Sequence, residues 1–385
     1  MNKLPKKLQH KLERRQQDNA LRQLGTSNQL VDFSSNDYLG FSKSKTIFNT
    51  AYKVLKTPNS LQNGATGSRL LSGNHKLYQM VEEHISTFHN SETALIFNSG
   101  YDANLGFFSC VPQRNDVILY DEYCHASIRD GITMSKAKAF KFKHNDLEDL
   151  EKQMLRHSEL VSESHQDIYL VTESIFSMDG DSPDLVTLSQ ISTKHNANLI
   201  VDEAHAIGVF GQNGNGLINQ LKLEATVFAR TITFGKALGA HGAAILCCQD
   251  LKDYLINFSR PFIYTTALPP HSLATIKASY DELLNQVQQD LVKLQQNIEY
   301  FKTELKRLNL QHLFIKSDST IQCCLVSGNE NAKRMAQELQ NHGFDVKAIL
   351  SPTIPKGKER LRLCLHSYNS SEEITKVLEL LATFV

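Results

Sequence analysis

The chain has 385 residues, enough for two domains, or for one large domain with an appendage, at ~150 residues per domain. Lys+Arg and Asp+Glu both number 41, so the net charge is zero and nothing calls for nucleic acid or an anionic membrane surface as partner. No apolar run approaches the ~18 residues of a membrane span, and Met1-Asn2-Lys3-Leu4-Pro5 carries no apolar signal segment, so a cytoplasmic protein is expected. The seven cysteines form no C-x-x-C pair. Cys247-Cys248 and Cys323-Cys324 are doublets in strand-like runs, whose neighbours point to opposite faces, so reduced buried thiols are expected and no metal site.

A basic amphipathic pattern predicts a helix over 6–24. A short strand near 30–33 then enters the polar turn Ser34-Ser35-Asn36-Asp37-Tyr38-Leu39-Gly40. The glycine-rich stretch Ala65-Thr66-Gly67-Ser68-Arg69-Leu70-Leu71-Ser72-Gly73-Asn74-His75 lacks a Gly-Lys-Ser/Thr ending and is no P-loop. A helix over 75–88 and a strand over 92–97 lead to Asn98-Ser99-Gly100-Tyr101, a strand–turn–helix junction. Its free backbone N–H groups suit a phosphate, and equally an ordinary capped turn. Strands at 116–120, 168–172, 199–201 and 227–234 then alternate with helices at 126–137, 146–156 and 185–194. Continuous apolar strands separated by helices predict a mostly parallel, doubly covered sheet. A long helical region reaches about residue 308 through the Gln-rich stretch 286–296. Strands at 320–326, 345–349 and 360–365 with helices at 330–341 and 371–384 complete a small α+β domain. The expected division is an N-terminal segment 1–45, a large domain 46–270, and a long helix with the small C-terminal domain 271–385.

Two stretches carry chemistry. Lys236 follows a β-prone apolar run and sits among Gly235, Gly239 and Gly242. A partly desolvated lysine loses its proton more easily and can attack an aldehyde. Asn198-Leu199-Ile200-Val201-Asp202 is an apolar run ending in a carboxylate, and ligands of open α/β sheets lie beyond the carboxyl ends of the strands. A Schiff-base lysine with an aspartate for a pyridinium nitrogen is the signature of a pyridoxal phosphate (PLP) site. Around such a site, His125 could stack on the ring and His205 could donate to the ring phenolate oxygen. Ser177 and Thr233 carry hydroxyls at strand ends, where either could bind phosphate or merely cap a turn. Arg360 and Arg362 share one strand face and could fork onto a carboxylate; alternation does not separate them.

The joint pattern resembles the fold-type I PLP enzymes, and within them the α-oxoamine synthases. The stretches at 34–40, 65–75, Phe176-Ser177-Met178-Asp179-Gly180-Asp181, Asp202-Glu203-Ala204-His205 and Thr233-Phe234-Gly235-Lys236 carry the likeness, which runs from Arg22 to Arg362. The stretch at 65–75 is similar to the branch that condenses L-alanine with a pimeloyl thioester, from CoA or acyl carrier protein, in biotin biosynthesis. A sister branch using glycine or serine, or an aminotransferase, are the rival readings. The resemblance implies a fold-type I PLP-transferase: a large domain with a mostly parallel sheet covered by helices, plus a smaller α+β C-terminal domain. It implies Lys236 as the Schiff-base lysine and base, Asp202 on the ring nitrogen, His125 stacked on the ring and His205 on the phenolate oxygen. Gly100, Tyr101, Ser177 and Thr233 would hold the cofactor, and Thr265 and Thr266 would reach the phosphate of the neighbour in a homodimer. Arg22, Asn36, His125, Thr353 and Arg362 would meet substrate, with Arg362 rather than Arg360 on the amino-acid carboxylate. His241 stands where the family pattern has serine.

Overall fold

The computed structural model describes residues 4–25, 29–56, 62–161, 166–285 and 287–384. In chain order the strands are β1 (Val31–Asp32), β2 (Thr93–Phe97), β3 (Val117–Asp121), β4 (Lys138–Phe142), β5 (Ile168–Glu173), β6 (Asn198–Asp202), β7 (Ala229–Thr233) and β8 (Ala243–Cys247). They continue with β9 (Ile321–Leu325), β10 (Phe344–Asp345), β11 (Lys347–Ile349) and β12 (Arg360–Cys364). The chain forms two compact units: a larger one of Asp37–Ser177 with Ser182–Val292, and a smaller one of Met1–Asn36, Met178–Asp181 and Lys293–Val385.

The larger unit is built on a seven-stranded sheet in the order β2-β8-β7-β6-β5-β3-β4. Pairings from β7 through β4 are parallel, and β8 runs antiparallel to both β7 and β2. The mostly parallel sheet expected from the apolar runs is the one found. Strand β5 is buried along its whole length because helices cover both faces, which is why Ile168, Leu170 and Val171 follow one another without polar alternation. Leu95, Phe107, Phe108, Ile128, Val171, Ile200 and Ile245 share one core cluster, each side chain contributing about 1.5–3 kcal/mol by leaving water. The helices Gly100–Cys110 and Ala126–Met134 pack closely because Gly131 faces the first of them. A Cβ there would stand 2.9 Å from Phe108 Cβ and 3.0 Å from the Asn104 carbonyl oxygen. In register, the carboxyl ends of β5 and β6 bring Glu173 beside Asp202.

In the smaller unit, β11, β12 and β9 form an antiparallel sheet in that order, and β1 pairs parallel with β10. Its helices include Asn329–Asn341 and Ser371–Ala382, the latter started by a capping box between Ser370 and Glu373.

Several elements differ from the sequence expectation. The first helix spans Lys6–Gln17, not 6–24, because Asn19 takes a left-handed conformation (φ 50°) that a helix cannot continue through. Strand β4 and the helices Lys45–Leu55 and Gln249–Phe258 are additional. The strand expected over 345–349 is split at Val346 into β10 and β11. Cys248 is not in a strand but caps the helix after β8, and is exposed. The long helical region comprises Pro270–Asn285 and Val287–Arg307; Gln286 lies outside the described residues.

Candidate active site

The carboxyl edge of the large sheet gathers the polar side chains. Asp202, at the end of β6, is 7% exposed and receives two N–H donors: Asn104 Nδ2 at 2.7 Å on one oxygen and the Ala204 backbone at 2.9 Å on the other. Buried carboxylates need such donors to stay ionised. The second hydrogen of the Asn104 amide goes to Ser127 Oγ at 3.0 Å. Ser127 in turn meets His125 Nδ1, with Oγ at 2.8 Å and its backbone N–H donating at 3.2 Å. An Nδ1 that accepts a backbone N–H carries no proton, so the neutral ring holds its proton on Nε2. Burial around this edge pushes the His125 pKa below 6.5, with Lys236 adding in the same sense and Asp202 opposing. The charges of Lys236 and Asp202 thus both reach His125.

Lys236 is half-buried in the turn after β7. The turn is pinned by Ala240 N–H to the Phe234 carbonyl and by Gly239 N–H to the Lys236 carbonyl, both at 2.8 Å. Buried Phe234, Ala237 and Leu238 anchor it. Gly239 has φ +60°, and a Cβ would stand 2.2 Å from the Ser42 backbone nitrogen; only glycine fits this turn. His241 is exposed, so its side chain takes no part in the packing behind Lys236.

Gly100 begins the helix Gly100–Cys110, with Ser99 Oγ capping Asp102 N–H. A Cβ on Gly100 would lie 3.9 Å from Thr233 Cβ and Oγ1, so the helix N-terminus and the end of β7 adjoin. Tyr101 is exposed, and its hydroxyl donates to Asp130, which raises the phenol's pKa. His205 is buried with Nδ1 2.7 Å from Tyr38 Oη. Ser177 is half-buried just past buried Phe176. Thr265 is half-buried and Thr266 exposed; the Thr266 carbonyl accepts the Asn98 amide at 2.8 Å, tying that segment to the turn before Gly100.

In the smaller unit the expected substrate residues fall into two pairs. Arg22 Nη2 donates to Thr353 Oγ1 at 3.2 Å, both residues exposed. Arg362 Nη2 donates to Asn36 Oδ1 at 3.0 Å, and Arg362 Nη1 lies 3.0 Å from Cys364 Sγ. Arg360 is fully buried and bound to the Asp179 carboxylate, the Met178 carbonyl and the Lys358 carbonyl. The two arginines on one strand face therefore have different surroundings.

The sequence reading passed over Asn104, Ser127, Tyr38 and Glu173, all part of this edge. Asn104 lies on a helix face with no motif around it. Glu173 carried a signal, since like Asp202 it ends a continuous apolar strand.

The family description Aminotransferase class I and II matches residues 28–381. The 8-amino-7-oxononanoate synthase of Emericella nidulans is 41% identical over 92% of this chain and 89% of its own length. A crystal structure of 8-amino-7-oxononanoate synthase from Francisella tularensis is 30% identical, with TM-score 0.76, over 93% of this chain and 98% of that one. A high-resolution structure of SPT, serine palmitoyltransferase, with PLP as internal aldimine is 28% identical, with TM-score 0.84, over 91% of this chain and 86% of that one.

Proposed function

Because the chain belongs to the aminotransferase class I and II family of PLP-dependent enzymes, we propose that it condenses L-alanine with a pimeloyl thioester, releasing CO2 and the free thiol and forming 8-amino-7-oxononanoate. It is a PLP-dependent acyltransferase of the α-oxoamine synthase type, in the lineage that serves biotin synthesis. The observation that carries the PLP chemistry is the edge joining Asp202, Asn104, Ser127 and His125, with Lys236 in electrostatic reach of the same histidine. The choice of L-alanine and a pimeloyl thioester is supported by the likeness to 8-amino-7-oxononanoate synthases.

The residues present fit PLP. Asp202 is a buried carboxyl group with an N–H donor on each oxygen, a residue type that could pair with a protonated ring nitrogen. The Gly100 helix start beside Thr233 offers backbone N–H groups and a hydroxyl to a phosphate, and by the resemblance Tyr101 and Ser177 would join them. Lys236 would hold the aldehyde carbon covalently, and Thr265 and Thr266 would serve the phosphate of a second copy in a homodimer. When bound, PLP supplies the electron sink on which the amino-acid α-carbon is deprotonated, acylated by the thioester and decarboxylated.

The chain's own groups set that chemistry up. Lys236 Nζ is the group that would take the Cα proton and later return one to the product carbon. Asp202 would pair with the ring nitrogen. His125, oriented by Ser127, would stack on the ring and offer Nε2–H to the substrate. His205, bonded to Tyr38, would serve the phenolate oxygen. Arg362, bonded to Asn36, would take the amino-acid carboxylate, and Arg22 and Thr353, bonded to each other, would also meet substrate.

The test is the visible spectrum of the purified protein with PLP as L-alanine, glycine and L-serine are added in turn, then pimeloyl-CoA or pimeloyl-acyl carrier protein. The expected result is a PLP band that responds most strongly to L-alanine, and CO2 release with a pimeloyl thioester. A preference for glycine or serine would move the chain to a sister branch, a reading favoured by its likeness to serine palmitoyltransferase. No PLP band after reconstitution would overturn the roles of Lys236 and Asp202 together.

A further inference from the structure

Glu173 has no part in the chemistry above, yet its placement is unusual. It ends β5 in register with Asp202 at the end of β6, and it is 4% exposed. Its carboxyl accepts the backbone N–H of His125, the residue that caps the helix Ala126–Met134. A circuit results. Glu173 holds the His125 backbone, His125 meets Ser127, Ser127 meets Asn104, and Asn104 meets Asp202, which lies beside Glu173 across the strands.

Two carboxyl groups on adjacent buried strand ends repel when both are ionised, and one is then held neutral. The donors decide which. Asp202 takes N–H bonds on both oxygens, whereas the bond to Glu173 comes from His125 alone among the hydrogen bonds described. The charged groups around Glu173 are Asp202 and Asp121, which disfavour a second negative charge, and Lys236, which favours one, while the neighbouring Cys124 thiol is kept neutral by burial and by these acids. Burial and Asp202 together push the Glu173 pKa well above the ordinary carboxylate value, in line with the donor count.

We propose that Glu173 is a positioning residue of the cofactor site: as a neutral acid it fixes His125 through the backbone N–H and leaves Asp202 the single anion of the pair. This rests on the PLP reading above, and the experiment separates the two.

The first measurement is the infrared difference between wild type and Glu173→Gln, both without PLP, at neutral pH. A protonated carboxylic-acid carbonyl band present in wild type and lost in the variant is expected. The second is PLP affinity and the visible circular dichroism of the bound cofactor in Glu173→Gln and Glu173→Ala. Glutamine is neutral and keeps an acceptor for His125, so affinity within about twofold and an unchanged dichroic band are expected. Alanine orphans a buried N–H, and roughly tenfold weaker PLP binding with an altered band follows.

Absence of the acid band, or a moved pH midpoint of the PLP absorbance in Glu173→Gln, overturns the neutral assignment. An alanine variant with wild-type affinity and dichroism overturns the positioning role. If that variant does not fold, the glutamine variant and the infrared band still decide. A wild type that binds no PLP defeats the PLP reading instead, and the infrared band, read without cofactor, still tests the proton on Glu173.

Discussion

Asp202 and Glu203 are consecutive residues, and they enter two contrasting regions of the larger unit. Asp202 lies at the carboxyl edge of the sheet, where its hydrogen-bond partners are neutral donors and its charge, with that of half-buried Lys236, acts on exposed His125. Glu203 is wholly buried. It pairs with Arg230 at 3.6 Å and accepts the Ile218 N–H at 3.0 Å. Arg230 continues to Asn219 Oδ1 at 2.7 Å and to the His89 carbonyl at 2.6 Å, and His89 Nε2 meets Tyr280 Oη at 2.8 Å. Both regions use a carboxylate, a cation, a histidine and a tyrosine. In the Glu203 region opposite charges are paired inside the protein; in the Asp202 region the carboxyl has N–H donors and, among the described residues, no guanidinium on it, as the proposed pairing with a cationic ring requires. Pairing with an internal cation, not residue type or burial, separates the two regions.

The comparison breaks first at Lys236. Lys236→Ala is expected to lose turnover by roughly 10²–10⁴-fold, the range of a missing general base, while its thermal unfolding midpoint stays near wild type. Turnover close to wild type would remove the catalytic reading of the open region. Arg230→Met should do the reverse. It leaves Glu203 buried without its cation and should cost about 3–5 kcal/mol of stability in a denaturant titration. PLP affinity per folded molecule should hold. If Arg230→Met instead spared stability and abolished PLP binding, the line drawn between the regions would be wrong.

A pH series sharpens the same line. Burial first, and then the charge of Arg230, lower the His89 pKa from 6.5 to about 3. Its Nδ1–H donates to the Asn215 carbonyl at 3.2 Å, so Nε2 is the unprotonated acceptor for the Tyr280 hydroxyl, and the neutral ring is satisfied on both nitrogens. Below pH 6.5 the unfolded chain therefore takes up a proton that the folded chain refuses. Stability contributed by this site is fully present above 6.5, falls as the pH drops, and stops falling near 3. The expected loss by pH 5 is about 2 kcal/mol, and His89→Gln should flatten the slope of unfolding free energy across that window. An unaltered slope would mean that other groups carry the acid sensitivity.

How much of this was legible beforehand differs by element. Strands β5 and β6 were readable because burial on both faces leaves an unbroken apolar run with an acid at its end. Edge strand β4 was not, since Lys138, Ala139, Phe140 and Lys141 are solvent-facing or half-buried and carry no such run. The first helix overran by several residues because a left-handed asparagine is set by backbone conformation, which composition does not encode. In the site, Lys236, Asp202 and His125 stood out by residue type and motif. Asn104, Ser127 and Tyr38 did not, because their roles arise only when one helix crosses another or a loop folds back. Arg360 and Arg362 were indistinguishable by alternation, and the buried Asp179 carboxylate is what separates their surroundings.

The smallest expected effects come from a matched pair of substitutions, and they test the comparison most directly. Tyr38 Oη lies 2.7 Å from His205 Nδ1 in the open region, and Tyr280 Oη lies 2.8 Å from His89 Nε2 in the closed one. Each substitution to phenylalanine deletes one hydroxyl and keeps the ring, so each removes one buried hydrogen bond worth about 1 kcal/mol. If the regions differ as argued, the two losses surface in different measurements. Tyr280→Phe should lower unfolding free energy by about 1 kcal/mol and leave PLP affinity and absorbance alone, because His89 touches only scaffold. Tyr38→Phe removes the hydroxyl bonded to His205 Nδ1, so PLP affinity should fall about fivefold and the cofactor band should shift. Equal effects of both substitutions on stability, with neither touching the cofactor, would reduce His205 to another scaffold histidine and confine the chemistry of this edge to Lys236, Asp202 and His125.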